Sequence, residues 1–114
     1  MQFFSEKSGA VLVASLEGQL NSGNAADLEG RMLSLVETGE HQWVLDLSRL
    51  DYISSAGLRV VLMLAKRLRG HQGRLVLCRL QPQVHEVFDI SGFLSILTAV
   101  GTREEAMSQL EAKE

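Results

Sequence analysis

A chain of 114 residues, 46% of them apolar and 22% charged, is long enough to bury a core without disulfide or metal staples and has the make-up of a soluble globular domain. Its net charge is −3, and its eleven lysines and arginines are spread out except for a small group at Lys66, Arg67 and Arg69. That distribution argues against a nucleic-acid surface, which needs a basic face. No apolar run is long enough to span a bilayer, and the start MQFFSEKSG lacks a basic stretch followed by an apolar one, so a cytoplasmic protein is expected.

Gln2 to Lys7 and Ala10 to Leu16 read as two strands joined at Ser8-Gly9, a pair suited to a hairpin turn. Val11, Val13 and Ser15 alternate with Leu12, Ala14 and Leu16, so both faces of the second strand are mostly apolar and it is expected inside the sheet. The segment from Gly18 to Asn24 reads as a loop, with Asn24 or Ser22 as cap of the next helix. That helix places Leu28, Met32, Leu35 and Val36 on one side and ends at Gly39. A buried strand follows at Val44 to Leu47, then a polar connection through Ser48, Arg49 and Asp51, then a long helix entered through Ser54 and Ser55 and closed by Gly70 and Gly73. Arg74 to Cys78 is a further strand, and its lone cysteine, with no internal bridging partner, reads as a small buried hydrophobe. Pro82 opens a short helix carrying Val84, Val87 and Phe88 to a stop at Ser91-Gly92. Leu94 to Val100 is expected as an edge strand. Thr102 to Glu105 fits a capping box that starts a last helix to about Ala112, with the charged end Glu111 to Glu114 fraying. Strands alternating with helices predict an α/β domain, a mixed sheet with helices against it.

On a helical wheel, Leu58, Val61, Leu62, Ala65 and Leu68 share the side expected to face the sheet, while Arg59, Val60, Met63, Lys66 and Arg67 lie opposite. Val60 and Met63 among cations are either scattered surface hydrophobes or the middle of a small docking surface with arginine at its edge. Ser54 and Ser55 have three readings. Serine before a helix is a cap, contributing about 1 kcal/mol. A catalytic nucleophile would need a base with an orienting partner, but His41, His71 and His85 fall in connections or on a peripheral helix, and no glycine-flanked serine elbow occurs. A phosphoacceptor is the third, because a helix start tolerates the added negative charge while a partner meets a changed surface. His85 and Asp89 lie one helical turn apart, but two ligands without a third make a weak metal site, and no glycine-rich phosphate loop is present; neither metal nor cofactor is expected.

VLDLSRLDYISSAGLRVVL resembles the signature of the STAS domain in bacterial anti-sigma factor antagonists. The likeness extends to Gly18-Gln19-Leu20-Asn21, to Gly73-Arg74-Leu75-Val76-Leu77, and to Leu80-Gln81-Pro82-Gln83-Val84 with Val87-Phe88-Asp89-Ile90-Ser91-Gly92. It implies one STAS domain over residues 1–114, with a mixed four- to five-stranded sheet and helices packed mainly on one face. By the same resemblance, the phosphorylated serine falls on Ser55, with Ser54 as the other hydroxyl available. The family's usual acids before that serine and in the loop are Ser54 and Asn21 here, which removes negative charge around Ser55. An anti-sigma factor with serine kinase activity, using its own ATP and magnesium, would modify Ser55; the unmodified form would bind that kinase and free a sigma factor, and a serine phosphatase would reset it. The implied partner surface comprises Asn21 and Ser22 in the loop, Ser54, Ser55, Ala56 and Gly57 at the helix start, and Arg59, Val60, Met63 and Arg67 along the helix. A patch of that size suits a monomer. The competing expectation is a regulatory or scaffold STAS subunit of a larger signalling or transport assembly, in which the serines only cap the helix.

Overall fold

The sheet is built outward from strand β3, Gln42–Ile53, in a computed structural model that describes residues 1–111. Trp43, Val44, Leu45 and Leu47 of β3 are wholly buried, and the Trp43 indole Nε1 donates to the Glu40 carbonyl at 2.6 Å, so the ring's polar edge is satisfied. On one side β3 pairs in parallel with β2, Val11–Leu20, whose other edge carries the antiparallel β1, Gln2–Ser8. On the other side it pairs in parallel with β4, Arg74–Cys78, which is followed by the edge strand β5, Thr98–Val100. The order is β1-β2-β3-β4-β5.

Helices α1 (Ala25–Glu37), α2 (Ser55–Gly70) and α3 (Pro82–Ile90) cover one face, burying Leu28, Met32, Leu64, Leu68, Val84 and Phe88 in a core shared with Leu12, Leu16, Leu45 and Leu47. The alternate residues Val11, Val13, Val44, Val76 and Cys78 face the other way and pack with Ala106 and Leu110 of α4, Arg103–Glu111. β2 is therefore buried on both faces, as its pattern predicts. The capping box forms: Thr102 Oγ1 accepts from the Glu105 backbone N–H at 3.0 Å while Glu105 Oε1 accepts from the Thr102 N–H at 3.1 Å. The expected helix end at Ala112 and the frayed tail beyond Glu111 lie outside the described residues.

Four expectations change. The polar run after Leu47 is strand, not connection, because Leu50 and Ile53 continue the buried set and pair with an extended β2. Gly18, Gln19 and Leu20 accordingly belong to β2, with the ladder slipping at Ser15/Glu17 and at Gly18/Gln19. The expected strand from Leu94 shrinks to three residues, since Phe93–Ser95 form a 3-10 turn that packs Phe93 and Leu94 against the core. At α1, Asn24 occupies the cap position but its side chain turns back, Oδ1 accepting from the Asn21 N–H and Nδ2 donating to the Gln19 carbonyl, both at 3.0 Å. No side chain, of Asn24 or of Ser22, caps that helix.

Candidate functional site

The C-terminal ends of parallel β2 and β3 deliver the Asn21 loop and the Ser54–Ser55 pair to the same edge of the sheet, where the Ser54 backbone N–H donates to the Leu20 carbonyl at 2.9 Å. The two serines then divide the work. Ser54 is the N-cap in extended conformation, and its Oγ accepts from the Gly57 N–H at 3.1 Å. Ser55, the first helical residue, is exposed, and its hydroxyl makes no hydrogen bond among the described residues. Gly57 lets the helix start lie this close to the sheet: a Cβ there would stand 2.7 Å from Leu20 Cγ and 2.9 Å from Ile53 Cγ1. No acid occupies the first turn of α2, and Arg59 follows Ser55 by one turn on an exposed position.

The Asn21 side chain is held in its own loop, Oδ1 accepting from the Gly23 N–H at 2.8 Å. Ser22 and Ala56 line one end of an open groove of about 900 Å³ that runs between α1 and α2 and includes Arg59, Val60, Met63 and Arg67. Nine of the ten residues expected at the partner surface thus lie at the helix start or along this groove, and Asn21 adjoins it in the chain. Val60 corrects the wheel: it is only 4% exposed and belongs to the main core with Leu28 and Met32 of α1, because α1 covers a second flank of α2 besides the one on the sheet. Met63 is half-buried, while Leu62 and Ala65, expected beneath the helix, are also half-buried, and Leu64 takes the fully covered position.

His41 and His71 stack with ring centroids 4.3 Å apart at the other end of α2 from Ser55, with His71 as that helix's C-cap. Among the described residues no three His, Cys, Asp or Glu side chains gather as metal ligands. No described helix is long and apolar enough to cross a membrane.

A buried carboxylate on the opposite face escaped the sequence reading. Asp46, in the apolar centre of β3, is 1% exposed; its Oδ2 accepts from Arg103 Nε at 2.6 Å and lies 3.4 Å from Arg79 Nε, and its Oδ1 accepts from the Ser48 N–H at 2.9 Å. Burial pushes the Asp46 carboxyl up, but the Arg103 and Ser48 hydrogen bonds and the Arg79 charge together hold it below the ordinary value. The only available signal was an acid inside an apolar strand, which requires a cation from elsewhere in the chain. Cys78, opposite Asp46 in the β3–β4 register, is buried, and burial together with the Asp46 charge pushes its thiol up to about 11.

Residues 4–106 match the STAS domain family. BtrV of Bordetella bronchiseptica, a candidate anti-sigma factor antagonist by name, is 56% identical over 106 residues, covering 93% of this chain and 91% of BtrV. The crystal structure of a candidate anti-sigma factor antagonist from Thermotoga maritima superposes with a TM-score of 0.91 at 22% identity, covering 96% and 94% of the two chains. The anti-sigma factor antagonist SpoIIAA of Bacillus in its unphosphorylated form gives 0.83 at 23% identity, with 99% of each chain covered. At those identities the structural likeness is one of fold, whereas the family match and the BtrV identity are properties of the sequence itself. This chain belongs to the STAS domain family, and its relatives carry the name of anti-sigma factor antagonists.

Proposed function

We propose that this chain is an anti-sigma factor antagonist, a single STAS module without turnover of its own that binds an anti-sigma factor with serine kinase activity while Ser55 is unmodified. The kinase transfers a phosphoryl group to Ser55, binding weakens, and a serine phosphatase restores the hydroxyl. One observation supports this assignment above the rest: Ser54 already serves as the cap, so the exposed hydroxyl of Ser55 has no structural duty and stands beside a groove suited to a partner. A doubly charged group at Ser55 makes desolvating that groove against a partner more costly. A differential affinity of about 1–3 kcal/mol suffices for such a switch.

The test is a pair of substitutions read by partner capture and intact mass. Ser55→Ala should retain the partner and lose the phosphoryl addition, whereas Ser55→Asp should weaken capture by about tenfold or more. Equal capture by both variants would remove Ser55 from the mechanism and leave the serines as helix-start structure alone.

A further inference from the structure

The groove between α1 and α2 has a chemistry more specific than an apolar slot. Its floor is half-buried Ala56 and Met63 with the nearly sealed Val60 at its base, and the α1 wall beside it is made by Ala25 and Ala26, residues small enough to let another helix approach. Along α2 the rim carries Arg59, Lys66 and Arg67 at positions that share one helical stripe with Met63. None of these three cations forms an ion pair among the described residues, all three are exposed, and Glu29 is the one acid lining the groove. From Ala56 to Gly70 the groove follows α2 for about 21 Å, the length of a helix of roughly four turns.

We propose that this groove seats an amphipathic helix of the protein partner, with its apolar side on Ala56 and Met63 and its acidic flank against the Arg59–Lys66–Arg67 stripe. An apolar floor beside a single row of unpaired cations is complementary to a helix that is apolar on one side and anionic next to it. Nucleic acid offers charge on every side and no apolar face to fill the floor. Lys66 and Arg67 meet the acids about three turns from Ser55, so they hold the helix in place, while Arg59 lies about one turn from Ser55. A phosphoryl group on Ser55 draws the Arg59 guanidinium to itself and opposes the acidic flank at that end. Only this regulatory consequence rests on the Ser55 reading; the groove's preference is a property of the unmodified chain.

The probe is a stapled, fluorescein-labelled peptide of about 15 residues with leucine at three- and four-residue spacing and glutamate elsewhere, titrated into the unmodified full chain by anisotropy. Comparators are the same composition scrambled, a version with lysine for glutamate, and a single-stranded oligonucleotide of the same net charge. The acidic amphipathic peptide should bind at least about tenfold tighter than each comparator and weaken as salt rises from about 0.05 to 0.5 M. The R59E/R67E variant, altered at exposed positions and checked for an unchanged melting curve, should lose about tenfold or more. The methyl resonance of Met63 should shift on binding, and that of Met107, on the α4 face, should not. Absence of binding, equal binding of the lysine peptide or the oligonucleotide, indifference to R59E/R67E, or a shift at Met107 alone would each overturn the proposal. Because no kinase or phosphoserine enters this experiment, its failure is separable from failure of the Ser55 switch.

Discussion

Replacing Asp46 by Asn keeps the shape of a side chain that is 1% exposed while removing the charge that holds two arginines. Breaking a buried pair by removing one partner costs about 3–5 kcal/mol when the orphaned charge stays buried. Here the stranded guanidiniums of Arg103 and Arg79 belong to side chains 40% and 47% exposed, so they can turn to water, and the loss should fall to about 2–3 kcal/mol. For a domain of this size that corresponds to a drop in Tm of about 10 °C or more. The pH dependence has a definite sign. A carboxyl held below its unfolded value stabilises the fold fully above that value, near pH 4 for a free aspartate, and the contribution is lost as pH falls through the lower folded value. Urea titrations of wild type and D46N should therefore differ by a constant amount above about pH 5, and the two should converge as the acid range is entered. Hydrogen exchange in D46N should speed first in α4, which Arg103 tethers to the sheet. A D46N protein within about 0.5 kcal/mol of wild type, or a gap that widens on acidification, would refute the reasoning.

Removing the Ser54 cap with S54A should cost about 1 kcal/mol in chemical denaturation and leave the phosphoryl addition on the neighbouring residue intact; an S54A protein that is never modified, beside an S55A protein that is, would reverse their roles. G57A should destabilise by about 1–2 kcal/mol, because a methyl group 2.7 Å from Leu20 Cγ and 2.9 Å from Ile53 Cγ1 overpacks two buried side chains by more than the gain in helix propensity returns. Cys78, with its thiol pushed up to about 11, should resist alkylation at pH 8 until denaturant is added, and rapid labelling of the native protein would contradict its burial.

The helices and most strands were legible because their apolar periods and caps are local: Thr102 with Glu105, Pro82 with Ser91, the alternation of Val11 to Leu16. The serine pair was legible as a pair, but which hydroxyl accepts from the Gly57 N–H depends on where the chain leaves the extended conformation, and that residue is Ser54. The misread residues depend on neighbours distant in the chain. Val60 is covered because α1 packs beside α2, and no wheel of α2 alone contains that helix. Ser48 to Tyr52 look like connection until Gly18 to Leu20 are seen to pair with them, and Asp46 finds Arg103 across 57 residues.

The division between Ser54 and Ser55 has a kinetic consequence. Since the bond that ties α2 to its starting turn belongs to Ser54, a group attached to Ser55 need break nothing in the scaffold. On the proposed reading, a mark written there would act through its charge and through the reach of the Arg59 side chain, with the backbone left in place. The response time of such a device is set by the turnover of whatever writes and erases the mark, and the two chemical states should be nearly superimposable in backbone.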